Sequence, residues 1–285
     1  MTDNIIVLGG SGFLGSQIIN SLNNNNFKNI TCGDSFKNPQ LLHPFIEIDI
    51  LNLENLSEQL RKYNIVINCL GAISTPFNRC FKLNTRGILN LSRAIRESNI
   101  KIIHISSVAV YGTADIVNEN SILSPETNYG TSKANAEFIL QNYVPKENLT
   151  ILRLSNLFGF NQKKGLVSYL LKSYNSNKVL NFNNNGNLKR SYLNVEDCST
   201  IITKFVKNYR IHGIFNISGD ENCSIKEVVN LFEKFLGIAY QTKFNDVKPW
   251  DNIIKIDKSK LKKNISYNCV WNFENFLLKH LENKS

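Results

Sequence analysis

Short runs of Ile, Val and Leu recur along the first half of the chain and alternate with longer stretches of mixed polarity. The apolar runs predict buried strands, and they occupy positions 4–8, 30–33, 45–48, 65–72 and 100–106. The stretches with one apolar side and a polar or charged outer face predict helices at 16–22, 53–62 and 84–98. Because strands that alternate with helices are typical of a parallel sheet, this half predicts an α/β, doubly wound fold.

The pattern changes after about residue 160, where long polar loops dominate and strand-like sequence returns twice. Helices are predicted at 231–236, 258–261 and 271–281. We therefore predict a nucleotide-binding domain over 1–160. A smaller lobe follows over 161–285, with some of its segments returning to the first domain.

Composition narrows the class of protein. The chain has 285 residues, of which 42% are hydrophobic and 20% charged, as is ordinary for a soluble globular protein. It has no apolar run of the roughly 18 residues needed to span a bilayer, and its N-terminus passes straight into a strand, so we expect a cytoplasmic protein. The six cysteines are dispersed without a C-x-x-C pair, which favours free thiols over disulfides or a zinc site.

The formal net charge of +10 is compatible with nucleic acid, an acidic membrane surface or anionic small molecules as partners. The lysines are scattered, and no basic stripe is interleaved with aromatic residues, which disfavours nucleic acid. A substrate that carries phosphate fits this charge better.

Three glycines, Gly9, Gly12 and Gly15, enclose Phe13 and Leu14 directly after the first predicted strand. A strand, a glycine-rich turn and the start of a helix form the arrangement that places a pyrophosphate on helix N-terminal amides. This turn therefore predicts a Rossmann dinucleotide site.

Other strand ends add to the predicted cofactor site. Asp34 ends the second strand, where a carboxylate can bind ribose hydroxyls and would repel a 2′-phosphate, so NAD is favoured over NADP. Asp49 and Ile50 follow the third strand and could hold the adenine. Small residues close the fourth strand and leave room for a cofactor, in the run Leu70, Gly71 and Ala72.

Tyr129 and Lys133 lie four residues apart at the start of a helix predicted from Ser132 onward. At this spacing the ammonium can sit beside the phenol and favour its ionised form, so that the tyrosine can move protons near neutral pH. Ser107 follows the fifth strand, where its hydroxyl can bind a carbonyl or alcohol of a substrate. His104 lies inside that apolar strand and is predicted to be a packed side chain rather than a base.

Through these motifs and their order, the chain resembles the extended short-chain dehydrogenases/reductases, specifically the NAD-dependent epimerases and dehydratases that act on nucleotide sugars. The resemblance covers most of the chain. It includes the glycine turn, Ser107, Tyr129 and Lys133, and also the segments 34, 49–50, 84, 106–112, 153–159, 190–197 and 215–219.

The resemblance implies a mechanism and a site. Tyr129 would remove and return the proton of a sugar hydroxyl while hydride moves between the sugar carbon and NAD. Lys133 would bind the nicotinamide ribose and lower the pKa of the tyrosine, and Ser107 would orient the reacting oxygen. Asn84 would support Lys133 through water. Two residues of the second half would hold the nucleotide sugar, Asn156 at its sugar or phosphates and Arg190 at its diphosphate.

The reaction itself stays open between alternatives. A 4,6-dehydratase of this family carries an Asp-Glu pair where this chain has Val108 and Ala109, so dehydration is not expected. A UDP-sugar 4-epimerase, which recycles its NAD, is favoured by Asp34 and Ser107. A 4-ketoreductase that makes a dTDP- or GDP-linked 6-deoxy sugar is favoured by the small second lobe. Some relatives are inactive, cofactor-sensing modules, but the retained Ser107, Tyr129 and Lys133 argue against this alternative.

Two further expectations come from the family. Its members usually act in the synthesis of surface polysaccharide or O-antigen precursors, and they form homodimers. Such a dimer would form through the helices that contain Asn84 and Tyr129.

Overall fold

The protein is described by a computed structural model that covers residues 3–40, 42–71, 77–174, 176, 179–247 and 250–282. The strands are β1 Ile5–Leu8, β2 Ile30–Asp34, β3 Phe45–Glu47, β4 Ile65–Asn68, β5 Lys101–Ser107, β6 Ala114–Val117, β7 Leu149–Leu154, β8 Asn156–Phe158, β9 Leu180–Phe182, β10 Lys189–Asn194, β11 Gly213–Ile217, β12 Glu221–Ser224, β13 Thr242–Phe244 and β14 Ile253–Ile256. The α-helices are α1 Phe13–Asn24, α2 Leu53–Leu60, α3 Phe77–Lys82, α4 Ile88–Ile95, α5 Asn128–Tyr143, α6 Leu166–Tyr174, α7 Val195–Lys207, α8 Ile225–Leu236, α9 Ser259–Asn264 and α10 Phe273–Glu282.

The central sheet has seven strands in the order β11-β7-β5-β4-β1-β2-β3, and every neighbouring pair is parallel. The predicted doubly wound Rossmann fold is therefore confirmed. The chain runs outward from β1 to β2 and β3, and then crosses back to β4 on the other side of β1. The carboxyl ends of β1 and β4 flank the crevice where such sheets bind ligands.

Both faces of this sheet are buried, which explains why its strands are continuously apolar. Ile5 and Val7 point into a core shared with α1 and α7. Ile6 and Leu8 point to the other face, where they pack in a core with residues of α2, α4 and α5. Each strand end at the crevice is therefore fixed from above and below.

The second part of the chain forms a smaller three-stranded sheet, β12-β10-β8, which packs with α6, α8 and α10 around an aromatic core. Phe158 contacts both Phe273 and Phe276 in this core, with ring centroids 4.8 and 5.4 Å apart. Two segments pack with the first part, since β11 pairs with β7 in the large sheet and α7 packs on α1. The division into domains at residue 160 stays a prediction.

The helix boundaries differ from the predicted ones at several points. The predicted helix 84–98 is preceded by α3 and joined to it by a π-helical stretch, Leu83–Gly87. The prediction that the catalytic helix begins at Ser132 is wrong, because α5 begins at Asn128 and the Thr127 hydroxyl caps it. The sequence interpretation also missed α6 and α7, although Val195, Cys198, Ile202 and Phe205 follow a helical period on the buried side of α7.

The cysteines are free thiols. Within the described ranges, no group of three or more His, Cys, Asp and Glu side chains could hold a metal ion. The helices in the described part of the chain are too short or too polar to cross a membrane.

Candidate active site

The turn between β1 and α1 requires glycine at two positions. Gly9 has a φ of +76°, which side-chain-bearing residues rarely adopt. A Cβ atom on Gly15 would lie 2.2 Å from the carbonyl oxygen of Gly9, so only a glycine lets α1 approach the turn this closely. Gly12 is the N-cap of α1, and the first amides of a helix have no partner within it. The turn therefore presents a helix N-terminus suited to a pyrophosphate.

Asp34 lies beside this turn at the end of β2. Its carboxylate accepts hydrogen bonds from the backbone N–H of Ser11, at 3.1 Å, and of Ser35, at 2.8 Å. Burial raises the pKa of Asp34, while these backbone hydrogen bonds lower it. The carboxylate thus fixes the glycine turn to the end of β2. Binding of Asp34 to the ribose hydroxyls stays a prediction.

The end of β4 closes the other side of the crevice. A Cβ on Gly9 would lie 3.1 Å from the backbone nitrogen of Leu70, so the two strand ends are in contact. Gly71 is exposed, and a Cβ there would lie 3.0 Å from Nζ of Lys133. The predicted small-residue turn therefore meets Lys133, whereas Ala72 lies outside the described residues.

Ser107 and Tyr129 meet at the carboxyl end of β5. They share a side-chain hydrogen bond, and the Ser107 hydroxyl also accepts from the backbone N–H of Ala109, at 3.2 Å. Burial raises the pKa of Tyr129 to about 12, and the bond to Ser107 opposes that rise. The expectation of a tyrosine that titrates near neutral pH is therefore wrong for the chain without ligands, because burial outweighs the neighbouring groups.

Lys133 lies one turn further along α5 and is 4% exposed. Its ammonium donates a 2.9 Å hydrogen bond to the carbonyl oxygen of Ile105. Burial lowers the pKa of Lys133 to about 8, and the nearby Cys69, Cys80 and Glu137 act in the opposite direction. The ammonium is therefore directed at β5 rather than at the phenol, which is the physical reason why the predicted effect on Tyr129 is not seen.

Asn84 is fully buried in the π-helical stretch, a geometry that often occurs at functional sites. Its amide nitrogen donates to Ser132 Oγ at 3.0 Å, and Ser132 Oγ donates to the Tyr129 carbonyl at 2.8 Å. Among the residues that the structure describes, the side-chain oxygen of Asn84, Oδ1, has no hydrogen-bond partner. A Cβ on Gly71 would lie 3.1 Å from this oxygen and 3.0 Å from Lys133 Nζ, so both atoms face one small space. Support of Lys133 by Asn84 through water stays a prediction.

His104 is confirmed as a packed side chain. It is fully buried in β5, and its Nδ1 is 3.0 Å from the amide nitrogen of Asn68 on the neighbouring strand β4. Burial and the nearby Lys133 hold its pKa well below the usual value.

The remaining predicted cofactor residues differ in their surroundings. Phe13 is partly buried and lies close to Gly159, since a Cβ added to Gly159 would be 3.4 Å from the Phe13 ring. Leu14 packs on the core. Asp49 is exposed, whereas the Ile50 side chain is only 2% exposed and packs in the core. The predicted aliphatic contact of Ile50 with adenine thus has little side-chain surface to form on.

Asn156 and Arg190 belong to the small sheet. Asn156 is exposed at the start of β8, opposite Tyr192 of β10. The Arg190 guanidinium donates to the carbonyl oxygens of Trp250, at 2.9 Å, and Asp251. Arg190 is therefore held by the 250–251 segment, and its binding to a diphosphate stays a prediction.

The cap of α5 yields a first test. The Thr127 hydroxyl accepts a hydrogen bond from the Gly130 N–H at 3.1 Å. This bond spans Tyr129, because Thr127 comes two residues before it and Gly130 directly after it. We expect Thr127→Ala to lower the free energy of unfolding by about 1 kcal/mol in a urea titration, because it removes this cap. Thr127→Ser keeps the hydroxyl and should unfold close to wild type; equal losses in both variants would contradict a capping role.

The glycine turn and the side chains around it fit a dinucleotide. The positions of Gly9 and Gly15 exclude side chains, a helix N-terminus faces the turn, and an acceptor oxygen of Asn84 and the Lys133 ammonium converge beside Gly71. A parallel sheet with this glycine turn at its switch point, and with a Ser-Tyr-Lys group beside it, defines the class of short-chain dehydrogenases/reductases.

Within that class, the chain belongs to the NAD dependent epimerase/dehydratase family, whose model matches residues 5–218. The resemblance inferred from the motifs is thereby confirmed. Among curated proteins, the uncharacterized UDP-glucose epimerase YtcB of Bacillus subtilis is 27% identical over 85% of each chain.

Two solved structures show the same fold. One is the UDP-glucuronic acid 4-epimerase of Bacillus cereus in complex with UDP-glucuronic acid and NAD. It has a TM-score of 0.87 and 24% identity, over 99% of this chain and all of that one. The other is a dTDP-glucose 4,6-dehydratase of Streptomyces venezuelae with NAD bound. It has a TM-score of 0.88 and 19% identity, over 99% of this chain and 98% of that one.

Proposed function

We propose that the chain is an NAD-dependent nucleotide-sugar 4-epimerase that acts on a UDP-sugar. The observation that carries the proposal is the hydrogen-bonded pair Ser107 and Tyr129 at the end of β5, with Lys133 one turn further along α5 beside Gly71. The match to YtcB, named as a UDP-glucose epimerase, supports the UDP-sugar, and the family supports NAD.

In this proposal Tyr129 moves the proton of the sugar 4-hydroxyl, and Ser107 Oγ holds the reacting oxygen. NAD, when bound, supplies the reversible removal of the C4 hydrogen as hydride. With a pKa of about 12, the Tyr129 hydroxyl carries its proton at neutral pH, so it is ready to return a proton to the sugar oxygen. To take the proton, Tyr129 must be present as the phenolate. Its hydrogen bond with Ser107 lowers its pKa in that direction, whereas the Lys133 ammonium is directed at the Ile105 carbonyl.

The residues after Ser107 argue against a dehydratase. Dehydration at C5 and C6 requires an acid and a base, whereas Val108 is buried and apolar and Ala109 has no functional side chain. We assign Asn156 to the sugar or the phosphates of the substrate and Arg190 to its diphosphate. Arg190 would have to exchange the carbonyls of Trp250 and Asp251 for phosphate oxygens when substrate binds.

We further propose a cytoplasmic homodimer that pairs through α5, which contains Tyr129, and through the helical segment that contains Asn84 and joins α3 to α4. Phe138 on α5 is 69% exposed and Phe81 on α3 is 45% exposed, and α3 and α5 are in contact. Apolar side chains of this size on adjacent helices are suited to a partner. A single species of monomer mass in sedimentation at micromolar concentration would contradict the dimer.

The test begins with freshly purified protein, which is denatured so that any released nucleotide can be identified by mass and absorbance. We expect NAD or NADH close to one per chain, followed by interconversion of C4 epimers with UDP-glucose or UDP-glucuronic acid and no added cofactor. An empty site, with turnover of a 4-keto-6-deoxy nucleotide sugar only when NADH or NADPH is supplied, would overturn the epimerase and identify a ketoreductase.

A further inference from the structure

Glu137 and Arg153 form a buried ion pair directly behind the candidate catalytic group. The Glu137 side chain is fully buried and Arg153 is 2% exposed. Arg153 Nε lies 3.1 Å from each carboxylate oxygen of Glu137, and Nη2 lies 2.7 Å from Oε2. Removing two charges from water costs several kcal/mol per ion, and an ion pair of this kind adds little to stability over an apolar pair. Its presence therefore needs another explanation.

The carboxylate side of the pair fixes the helix that carries Tyr129 and Lys133. Glu137 follows Lys133 by four residues, so the two side chains lie on the same face of α5. Ser106 Oγ donates to Glu137 Oε1 at 2.5 Å, and Lys133 Nζ donates to the Ile105 carbonyl at 2.9 Å. Two consecutive turns of α5 are thus bonded to two consecutive residues of β5, which sets the rotation of the helix against the strand end.

The guanidinium side fixes the segment that carries Ser107. Arg153 on β7 is the register partner of Ser106 on β5, so both reach the same carboxylate from one face of the sheet. Arg153 Nη1 donates to the hydroxyl of Tyr111 at 2.8 Å, and this hydroxyl donates to Asn216 Oδ1 at 2.7 Å. Ser107 is therefore held from both sides by one ion pair: Glu137 binds the residue before it, Ser106, and Arg153 binds Tyr111 in the turn after it.

We propose that Glu137 and Arg153 are positioning residues, which act through Ser106 and Tyr111 to hold Ser107 against Tyr129 and to hold the Lys133 ammonium at the end of β5. The effect of this positioning on catalysis rests on the proposed function. Beyond each other, the two side chains bond to Ser106, Tyr111 and the Glu119 carbonyl, so the pair acts through other residues.

The electrostatic part of this role can be measured at Lys133. The titratable and charged groups that act on its ammonium are Cys69 at the end of β4, Cys80 on α3, His104 on β5 and Glu137 on α5. Among them, Glu137 is a carboxylate that raises the pKa of Lys133 against the effect of burial. Removal of its negative charge should therefore lower the pKa of Lys133 further.

The experiment uses the full chain and the variants Glu137→Gln and Asp197→Asn. Asp197 is a matched control, because it is also a buried carboxylate, 2% exposed. It accepts from the N–H groups of Val270 and Trp271 at 3.2 and 3.0 Å. The titration of Lys133 is followed without added ligand by NMR of 13Cε-labelled lysine, with Lys133→Arg to identify the signal. Steady-state kinetics with the UDP-sugar and thermal melting complete the set.

We expect Lys133 to titrate near pH 8 in the wild type and at a lower pH in Glu137→Gln. We also expect kcat to fall about 100-fold with KM nearly unchanged, since a small misplacement of reacting groups has an effect of this size. Asp197→Asn should melt earlier but leave the Lys133 titration and kcat of the folded protein as in the wild type. A wild-type titration and kcat in Glu137→Gln would overturn the inference.

A double variant, Glu137→Met with Arg153→Met, guards against loss of folding, because it removes both charges and leaves neither unpaired. If the pair positions the site, this variant should fold and still show the reduced kcat. Its Lys133 titration should move less than in Glu137→Gln, because the lost positive charge of Arg153 offsets the lost negative charge of Glu137. Wild-type kcat in the double variant would show that the pair serves folding alone. If the wild type has no turnover with any UDP-sugar, the proposed function fails, while the titration and the melting data still decide the role of the pair in holding Lys133.

Discussion

Tyr129→Phe is expected to lower kcat for sugar epimerisation by about 100-fold to 10,000-fold, which is the range that a positioned acid/base contributes. The variant loses one oxygen atom, the one that shares a hydrogen bond with Ser107. KM should change little, because the predicted substrate ligands Asn156 and Arg190 lie on the small sheet, β12-β10-β8, rather than on α5. The nucleotide released on denaturation should also be unchanged, which separates a lost proton transfer from a lost cofactor.

Tyr63→Phe provides a matched control for this change. Tyr63 is 6% exposed and follows α2, where its hydroxyl bonds with Thr31. Loss of its hydroxyl removes the same atom from a buried tyrosine that precedes the amino end of β4, at the opposite edge of the sheet from Ser107, so kcat should stay at the wild-type value. If Tyr129→Phe and the wild type turn over equally fast, Tyr129 is not the acid/base, and a chain without any turnover would be the inactive, cofactor-sensing module.

The fold and the main cofactor elements are readable from the sequence because their signals are local. Each central strand of this sheet is buried on both faces, so it appears as a short continuous apolar run. The turn at Gly9, Gly12 and Gly15 is recognised by residue type, since its backbone angle and its close approach to α1 exclude side chains. The spacing of Tyr129 and Lys133 likewise lies within one helix.

The protonation behaviour of the site is not readable in this way, because it depends on contacts between distant segments. The pKa of Tyr129 is set mainly by burial, and the Lys133 ammonium is directed at Ile105, which lies 28 residues earlier in the chain. Neither the depth of burial nor the carbonyl that faces a lysine can be deduced from a four-residue spacing. The prediction that Tyr129 titrates near neutral pH was wrong for this reason.

The buried pair of Glu137 and Arg153 was missed for a related reason. Its two residues lie on α5 and β7, and they meet only because β7 pairs with β5 so that Arg153 is opposite Ser106. One signal was available, since Glu137 continues the spacing of Tyr129 and Lys133 by another four residues into an otherwise buried helix face. A charged residue at such a position indicates a buried partner, although the sequence does not identify it.

The cap of α5 was available from residue type and was overlooked. Thr127 precedes Asn128, and threonine is a preferred N-cap whose hydroxyl accepts from an amide of the first turn. Gly130, a poor helix former, lies between Thr127 and the predicted helix start at Ser132. In the structure Gly130 is required inside the first turn, because a Cβ there would lie 2.5 Å from the carbonyl oxygen of Ala109. Packing on the Ser107 segment thus overrides the low helix propensity of glycine.

Gly15→Ala is expected to be the most damaging single-atom change in the cofactor turn. Its methyl group would lie 2.2 Å from the Gly9 oxygen and 2.8 Å from Gly10 Cα, and these are backbone atoms that cannot rotate away. We expect α1 to move from the sheet, with a loss of about 3 kcal/mol in the free energy of unfolding, at the upper end of overpacking effects. Because the stability of a domain is about 5 to 15 kcal/mol, low yield of folded protein is part of the expected result.

Gly12→Ala separates folding of the turn from binding of the cofactor. Gly12 has an ordinary φ of −78°, and a Cβ there would lie 3.2 Å from the Gly9 oxygen, which a shift of a few tenths of an ångström relieves. This variant should therefore unfold at nearly the wild-type urea concentration. It should nevertheless retain less NAD after purification, because the methyl group stands at the helix N-terminus where a phosphate would approach. Full NAD content in Gly12→Ala would contradict binding of the pyrophosphate at this turn, whereas wild-type stability in Gly15→Ala would show that the contact between α1 and Gly9 can relax.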